Sequence, residues 1–246
     1  MEMLGLFKRL SRSRAGDAIR CAAVVPAAGS SSRMEGRDKI LLPLAEQPVL
    51  IHTLRALEQC TYITQIIVVT REDLIVPVGQ LCRDCGLTKV SRVITGGATR
   101  THSVLAGVRE VDESTPLVAI HDGARPLVSQ AVLEAAILRA SECGAAAPAI
   151  PVKDTVKRAH DGLVEATLER SELFAVQTPQ VFERSLIRAA LAKALEDGAT
   201  LTDDCSAVER LGIGVALTQG DYCNLKITTP EDMAVAEALL AWRENG

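Results

Sequence analysis

Short apolar runs, each bounded by polar or turn-forming residues, recur along the chain between residues 22 and 150. They are Ala22–Pro26, Ile66–Thr70, Val90–Thr95, Leu117–His121 and Ala145–Ile150. Their length and their content of β-branched residues are typical of parallel strands that are buried on both faces. The pattern therefore predicts the strands of one central sheet.

Longer segments between these runs carry apolar residues three and four positions apart, which is the spacing of an amphipathic helix. These segments are Val49–Gln59, Thr101–Val111 and Ser129–Glu142. Alternation of strands and helices predicts an α/β fold with a single doubly wound, mostly parallel sheet. Such sheets bind ligands beyond the carboxyl ends of their strands, where the strand order reverses, so we expect the functional residues there.

The segment Pro151–Glu172 interrupts this alternation. Apolar and β-branched residues flank Asp161-Gly162, which predicts a β-hairpin arm that protrudes from the sheet; they are Val152, Thr155, Val156, Val164, Thr167 and Leu168. A long hairpin buries little surface by itself, so we expect it to pack on another body such as a second subunit. The remaining pattern predicts helices Ser185–Glu196, Asp203–Leu211 and Pro230–Trp242, and strands around Ile213–Thr218 and at Asn224–Ile227.

Residues 1–20 differ from the rest because basic residues alternate there with a few apolar ones, in a stretch too short for the apolar core of a signal peptide. We expect this extension to be disordered. Residues 21–246 show neither an internal repeat nor a second core, and we expect them to form one domain that includes the arm at 151–172.

Composition narrows the function classes. The 246 residues carry 27 Lys and Arg against 31 Asp and Glu, and this net charge of −4 argues against non-specific binding to nucleic acid. Aromatic residues make up 2% of the chain, so stacking platforms for single-stranded bases are not expected. No apolar run approaches the roughly 18 residues of a membrane-spanning helix. We therefore expect an enzyme without nucleic-acid or membrane partners.

The seven cysteines are odd in number, and several of them lie within apolar runs. This usage is typical of reduced, buried thiols and predicts a cytoplasmic protein.

The first predicted strand is followed by small residues and then by two cations. The sequence Pro26-Ala27-Ala28-Gly29-Ser30-Ser31-Ser32-Arg33 leaves room for backbone N–H groups to approach a phosphate, and Lys39 follows. The loop fits neither the dinucleotide fingerprint nor the P-loop. Arg33 and Lys39 could stabilise charge on a transferring phosphoryl group. The alternative is an ordinary turn with solvated cations.

Three further positions carry candidate chemistry. Asp122 follows a buried strand, where it could hold Mg²⁺ together with triphosphate oxygens or could simply cap a turn. The run Gly96–Ser103 could contact a base or ribose, or could form only a turn and a helix cap. Lys226 lies in an apolar stretch, which calls for an anionic partner. For Asp204 we favour a helix N-cap.

Together these positions predict a site that is rich in cations and small polar groups and suited to two phosphorylated substrates. No Ser-His-Asp or Cys-His set emerges, so no covalent nucleophile is expected.

The order of the motifs then resembles the 2-C-methyl-D-erythritol 4-phosphate cytidylyltransferase family. The motifs are PAAGSSSRM with DKILLPL, GGATRTHSVLAG, HDGARP, PVKDTVK, QTPQVF, TDDCSAVE and NLKITTPEDM, and they extend from about Cys21 to Trp242. The resemblance implies a Rossmann-like nucleotidyltransferase of non-mevalonate isoprenoid precursor biosynthesis. In its Mg²⁺-dependent reaction, a phosphate oxygen of methylerythritol 4-phosphate attacks the α-phosphorus of CTP and pyrophosphate leaves.

The resemblance also implies roles for individual residues. Arg33 and Lys39 match the pair that stabilises the transition state, and Arg170 and Lys226 match the pair that positions methylerythritol phosphate; all four are expected to be catalytic. The implied substrate-binding positions are Asp122, Thr155, Arg125, Thr178, Thr202 and Thr228, with Asp122 also at the metal. The implied nucleotide-binding positions are Pro26, Ala27, Ala28, Gly29, Ser30, Gly97, Arg100 and Ser103. The arm resembles a dimerisation arm, which implies a homodimer. Thr155 on this arm would then act in its own site or in the partner's.

The chain departs from the family pattern at three positions. Ser31 replaces a frequent glycine, Asp38 stands where many members have proline, and Leu225 replaces the usual isoleucine. These departures leave the base contacts of the loop open. The alternatives are a cytidylyltransferase for ribitol 5-phosphate or a sugar phosphate, and a nucleotide-binding module without catalysis.

Overall fold

The apolar runs of the sequence build an eight-stranded sheet in the computed structural model, which describes residues 19–29 and 38–245. In chain order the strands are β1 (Cys21–Pro26), β2 (Pro43–Leu44), β3 (Gln47–Pro48), β4 (Ile63–Thr70), β5 (Val90–Thr95), β6 (Leu117–Ile120), β7 (Ala145–Pro151), β8 (Lys157–His160), β9 (Leu163–Thr167), β10 (Phe174–Val176), β11 (Gln180–Glu183) and β12 (Ala216–Gln219). The helices are α1 (Val49–Gln59), α2 (Ile75–Asp84), α3 (Arg100–Arg109), α4 (Gln130–Cys143), α5 (Arg184–Glu196), α6 (Asp204–Glu209) and α7 (Pro230–Asn245).

Most of the predicted N-terminal extension, residues 1–18, lies outside the described residues. The division of the chain into an extension and one domain therefore stays a prediction.

The strand order of the main sheet reverses at β1. The order is β10-β7-β11-β6-β1-β4-β5, and β12 pairs with β7. β1 runs parallel to β4 on one side and to β6 on the other, and β4 runs parallel to β5, whereas β11 is antiparallel to β6 and β7. The predicted doubly wound, mostly parallel sheet is confirmed. Its switch point lies between the carboxyl ends of β1 and β6, where such folds bind ligands.

Helices cover both faces of the sheet. In β1, Cys21, Ala23 and Val25 pack with α1, α2, α4 and α7, whereas Ala22 and Val24 pack with α3, α5 and α6 on the opposite face. Strands that are buried on both faces need the nearly continuous apolar runs that the sequence shows. β5 is the exception among the predicted strands, because it ends the sheet and several of its side chains, including Arg92, are exposed.

The predicted arm is a separate two-stranded ribbon of β8 and β9. Its turn residues Asp161 and Gly162 have φ values of 48° and 78°, the left-handed conformations that a tight hairpin turn of this kind requires. Leu163 and Val164 on the ribbon are 75% and 62% exposed. Within this one chain, the arm therefore presents apolar side chains to solvent.

The predicted strand at Asn224–Ile227 is wrong. This segment is irregular rather than paired in a sheet. Two hydrogen bonds connect it to the loop after β6: the Ile227 N–H donates to the Ala124 carbonyl, and the Arg125 guanidinium donates to the Asn224 carbonyl. Its apolar residues made it look like a strand, although Ile227 is buried in the core on the α1 face of the sheet and Leu225 packs against that core. The sequence patterns also did not predict α2, β2, β3, β10 and β11.

None of the helices in residues 19–29 and 38–245 has the length and hydropathy of a membrane span.

Helix α3 lies unusually close to the sheet, because Gly107 removes the side chain at the contact. A Cβ at this position would lie 2.5 Å from Val24 Cγ1 and 2.9 Å from Val69 Cγ2. The first residue of α3 is Arg100, one of the candidate site residues. The close contact therefore helps to set where this guanidinium lies relative to the end of β1.

Gly107→Ala is expected to destabilise the protein. Alanine in a helix interior is normally about 1 kcal/mol more favourable than glycine, but overpacking against Val24 and Val69 costs about 1–3 kcal/mol. We expect the free energy of unfolding, measured in urea, to fall. Gly79→Ala in α2 is the matched control, because its Cβ would meet only Arg83 Nη1 at 3.6 Å. An equal gain in stability in both variants would contradict the close packing of α3.

Candidate active site

A cavity of about 360 Å³ opens at the switch point, between the carboxyl ends of β1 and β6. Its lining is Pro26, Ala27, Ala28 and Gly29 after β1, Lys39 and Ile40, Gly97, Ala98, Thr99, Arg100 and Ser103, Asp122, Gly123 and Ala124 after β6, and Lys226. Residues that are far apart in sequence meet here because parallel strands end at the same edge of the sheet. The structure therefore has a cavity at the position where the sequence predicts the functional site.

Asp122 is the centre of the charge cluster in this cavity. Its Oδ2 lies 2.9 Å from Lys226 Nζ and 3.7 Å from Arg125 Nε, and its Oδ1 lies 3.5 Å from Arg100 Nη2. Burial raises the pKa of the Asp122 carboxyl, but the charges of Lys226, Arg100 and Arg125 outweigh burial and lower the pKa to about 2. Asp122 is thus ionised at neutral pH, and its negative charge interacts with three cations.

A buried polar group behind Asp122 fixes its backbone. The Asp122 N–H donates to Thr178 Oγ1 at 3.1 Å, and this hydroxyl lies 3.0 Å from His121 Nδ1. His121 Nε2 lies 3.3 Å from the Arg125 carbonyl, which can only accept, so Nε2 carries the proton and the Thr178 hydroxyl donates to Nδ1. Burial lowers the pKa of His121 to about 4, although the Asp122 charge opposes the shift. The imidazole is therefore neutral.

Arg125 and Thr178, which were expected to bind substrate, lie outside the cavity lining. Arg125 forms an ion pair with Asp122 and donates a hydrogen bond to the Asn224 carbonyl. The Thr178 hydroxyl accepts a hydrogen bond from the Asp122 N–H and donates one to His121 Nδ1. Both residues support the Asp122 loop in the structure, and their contact with substrate stays a prediction.

Asp204 is a second buried acid, and it binds Arg100 in a bidentate ion pair. The distances are 2.9 Å from Nη1 to Oδ1 and 2.7 Å from Nη2 to Oδ2, and Asp204 is 1% exposed. Its amide N–H donates to Gln180 Oε1 on β11. Burial raises the pKa of Asp204, an effect that the Arg100 charge offsets in part. Asp122 and Asp204 thus both pair with the Arg100 guanidinium.

The N-cap interpretation of Asp204 is wrong. The N-cap of α6 is Asp203, whose side chain accepts a hydrogen bond from the Ser206 N–H. When two acidic residues stand next to each other at a helix start, the sequence does not show which of them is the N-cap. Only the approach of α3, 104 residues away in sequence, shows that Asp204 is a counter-ion.

The glycine-containing run before α3 forms the turn and cap that were the alternative interpretation. Ser103 Oγ accepts from the Gly97 N–H and donates to the Thr99 carbonyl, each at 3.0 Å, and Thr99 caps α3. A Cβ at Gly97 would collide with the His102 side chain. The Ser103 hydroxyl is therefore occupied by the turn, while Arg100 reaches from this turn into the cavity.

Several expected site residues do not meet in one chain. Thr155 and Arg170 line a second cavity of about 670 Å³ at the base of the arm, beside Tyr222 and Lys153. There Arg170 Nη1 donates to the Lys153 carbonyl at 2.8 Å, and Lys153 Nζ lies 3.6 Å from the centre of the Tyr222 ring. A single chain thus separates Arg170 from Lys226, although the two were expected to position the same substrate.

Thr202 and Thr228 also lie outside the cavity lining. Thr202 is exposed beside the N-cap of α6, and Thr228 Oγ1 donates to Asp232 Oδ2 at 2.6 Å at the start of α7. Ser30 and Arg33 lie outside the described residues.

The donor set of the cavity fits a magnesium ion that is held mainly by its substrate. The described residues hold no group of three or more acidic, histidine or cysteine side chains arranged for a metal, and Asp122 is the carboxylate in the cavity lining. Mg²⁺ commonly takes one or two carboxylates and completes its shell with water and substrate phosphates. Asp122, which is ionised at neutral pH, is suited to be such a carboxylate ligand.

Comparisons with known proteins agree on one family. The family model for 2-C-methyl-D-erythritol 4-phosphate cytidylyltransferase matches residues 21–242. Proteins of that name from Desulforamulus reducens and Halalkalibacterium halodurans are 48% and 42% identical over 230 and 225 residues, covering 90% and 91% of this chain and 96% and 98% of theirs.

Solved structures show the same likeness in three dimensions. The 4-diphosphocytidyl-2C-methyl-D-erythritol synthase of Anaerococcus prevotii superposes with a TM-score of 0.81 at 30% identity, covering 90% of this chain and 96% of that one. The 2-C-methyl-D-erythritol 4-phosphate cytidylyltransferase of Thermus thermophilus superposes with a TM-score of 0.74 at 32% identity, covering 89% and 98%.

The neutral His121 predicts a loss of stability in mild acid. As the pH falls from 6.5 towards 4, the unfolded chain takes up a proton at this residue and the folded chain does not. The free energy of unfolding should therefore fall with a contribution from His121 that approaches about 1.4 kcal/mol per pH unit. Denaturant titrations at several pH values on the wild type and on His121→Gln check this. Parallel curves for the two proteins would contradict it.

Proposed function

The chain belongs to the 2-C-methyl-D-erythritol 4-phosphate cytidylyltransferase family, and we propose that the cavity between β1 and β6 is where it carries out this reaction. The enzyme joins CTP to 2-C-methyl-D-erythritol 4-phosphate, giving 4-diphosphocytidyl-2-C-methyl-D-erythritol and pyrophosphate, a step towards isoprenoid precursors. The observation that carries the placement is the cluster of Arg100 and Lys226 around Asp122 at the switch point of the sheet.

The loop after β1 is suited to the triphosphate of CTP. Pro26, Ala27 and Ala28 present little beyond backbone to the cavity. Among the described residues, and apart from the chain neighbours of Gly29, no atom lies within 4 Å of where a Cβ at Gly29 would be, which favours approach of a ligand to the backbone there. Arg100, whose guanidinium is held by Asp204 and Asp122, supplies positive charge on the neighbouring wall.

Lys39 and Lys226 are the proposed catalytic cations of the cavity. Lys226 Nζ pairs with Asp122, and the Lys226 side chain is 40% exposed, so it can also contact the phosphate of methylerythritol phosphate. Lys39 lines the same cavity from the segment that follows the loop. We propose that Lys39 and Arg33 stabilise the negative charge that builds up on the α-phosphoryl group in the transition state.

The reaction needs positioning and charge stabilisation rather than a protein nucleophile. A phosphate oxygen of methylerythritol phosphate forms the new bond to the α-phosphorus of CTP while the bond to pyrophosphate breaks. Asp122 would hold Mg²⁺, which when bound neutralises part of the charge on the triphosphate.

The arm points to a homodimer as part of this proposal. Arg170 and Thr155 lie at a cavity of their own, and Leu163 and Val164 on the arm are exposed. A second copy of the chain that covers the arm would bury these apolar residues and would bring Arg170 and Thr155 to the partner's Lys226. A cytoplasmic location, which the seven free thiols favour, stays a prediction as well.

The function is tested by measuring pyrophosphate release from CTP and Mg²⁺. We expect release with methylerythritol 4-phosphate and not with ribitol 5-phosphate. Release with ribitol 5-phosphate alone would keep the chemistry and overturn the substrate. CTP binding without release from either would indicate a non-catalytic nucleotide-binding module.

Lys39→Ala is expected to lower kcat by about 10²-fold or more, because it removes a cation at the reacting phosphoryl group. The same pyrophosphate assay measures the loss. Lys193→Ala is the control, since Lys193 is an exposed residue of α5 that pairs with Asp197. Turnover of Lys39→Ala that matches the control would remove Lys39 from the mechanism.

Mixing two inactive variants tests whether the arm completes the partner's site. Lys39→Ala and Arg170→Ala should each be nearly inactive, but in a mixed dimer one of the two sites keeps both residues. Equal amounts that exchange freely should therefore recover about a quarter of wild-type activity. No recovery in samples shown by mass spectrometry to contain mixed dimers would place Arg170 in the site of its own chain.

A further inference from the structure

A bidentate ion pair holds the residue that precedes Lys39. Arg71 Nη1 donates to Asp38 Oδ1 at 2.9 Å, and Arg71 Nη2 donates to Asp38 Oδ2 at 2.6 Å. The Asp38 side chain is 18% exposed and that of Arg71 is 35% exposed. Bidentate pairs of this kind fix relative orientation as well as distance, because both ends are planar forks.

The Arg71 end of the pair is a rigid anchor. Arg71 directly follows β4, which is hydrogen-bonded to β1 on one side and to β5 on the other. Its guanidinium is oriented further by Asp73, which accepts from Nε at 3.1 Å and from Nη2 at 3.0 Å. The interaction with Asp38 contributes most to the raised pKa of Arg71, so the guanidinium stays charged.

The chain beyond Lys39 is anchored independently. The Asp38 carbonyl accepts from the Leu41 N–H at 2.9 Å and from the Leu42 N–H at 3.2 Å, which closes a tight turn around Lys39. Ile40 is 4% exposed, and its carbonyl accepts from the Leu50 N–H at the start of α1. Lys39 therefore lies between a residue that is tied to β4 and a residue that is buried under α1.

We propose that Asp38 and Arg71 are positioning residues that fix the backbone at Lys39, so that its side chain is held at the wall of the cavity. The proposal rests on the role of Lys39 in the proposed function. Exposed ion pairs add little to global stability, and the effect of this one is local. A small misplacement of a catalytic group is enough to lower the rate strongly.

Three variants separate this role from a structural one. Arg71→Met removes the guanidinium, Asp38→Asn removes the charge it binds, and Arg71→Met combined with Lys39→Ala asks whether Arg71 acts through Lys39. Arg92→Met is the matched control, because Arg92 lies on the neighbouring strand β5 and pairs with Glu110 at the surface. Two measurements are made on each: hydrogen exchange of the peptide that covers residues 38–44, and kcat and KM for CTP.

Arg71→Met and Asp38→Asn are each expected to speed exchange of the Leu41 and Leu42 amides by about threefold or more, while Arg92→Met leaves it unchanged. They should lower kcat by about tenfold with KM for CTP within about twofold. In the Lys39→Ala background, Arg71→Met should change kcat by no more than about twofold.

Each other outcome overturns the proposal. Unchanged exchange would show that the pair does not restrain the turn. Faster exchange with normal kcat would show that the restraint does not reach Lys39, and a further tenfold loss in the Lys39→Ala background would show that Arg71 acts by another route. If the wild type releases no pyrophosphate, the proposed function fails. In that case the exchange data alone test whether Asp38 and Arg71 restrain the turn around Lys39. Unchanged exchange would again overturn the proposal.

Discussion

One carboxylate, Asp122, holds together cations from three parts of the chain that would otherwise repel one another. Lys226 comes from the loop before α7, Arg100 from the first turn of α3, and Arg125 from the loop after β6. A buried carboxylate is costly unless it is paired, and buried cations are costly in the same way. The cluster is stable because each charge compensates another, and it leaves positive charge at the wall of the cavity. That surplus suits a ligand made of phosphates.

The surroundings of Asp122 keep this balance in place. His121 is buried and neutral, so it adds no further positive charge next to the cluster, and through Thr178 it supports the Asp122 backbone. Asp204 binds both terminal nitrogens of Arg100, and Asp122 lies 3.5 Å from one of them, Nη2. Arg100 thus has two fixed acceptors, and it also lines the cavity. Such prior orientation is what an enzyme needs when it stabilises charge without forming a covalent bond to its substrate.

The fold supplies the meeting point. Parallel strands bring the ends of β1 and β6 to one edge of the sheet, and the reversal of strand order leaves a crevice between their loops. Close packing of α3 through Gly107 carries Arg100 to that crevice, and the turn around Lys39 enters it from the other side. The arm lies apart from it, with Arg170 and Thr155 at its base.

The sequence by itself determined the features that depend on neighbouring residues. The buried strands appear as apolar runs, the helices as apolar residues three and four positions apart, and the hairpin arm as Asp161-Gly162 between stretches that contain β-branched residues. The small residues after β1 and the position of Asp122 after β6 follow from the same local patterns. Because parallel strands end at one edge, these patterns were also enough to predict where the cavity lies.

Only the tertiary structure decided which charges meet. Asp204 is a counter-ion of Arg100 across 104 residues, and Asp38 binds Arg71 across 33 residues. Arg125 and Thr178 lie behind Asp122, and the segment at Asn224–Ile227 is an irregular loop rather than a strand. No local pattern encodes these outcomes, because the partner of a charged side chain is set by how helices and loops pack over the ends of the sheet.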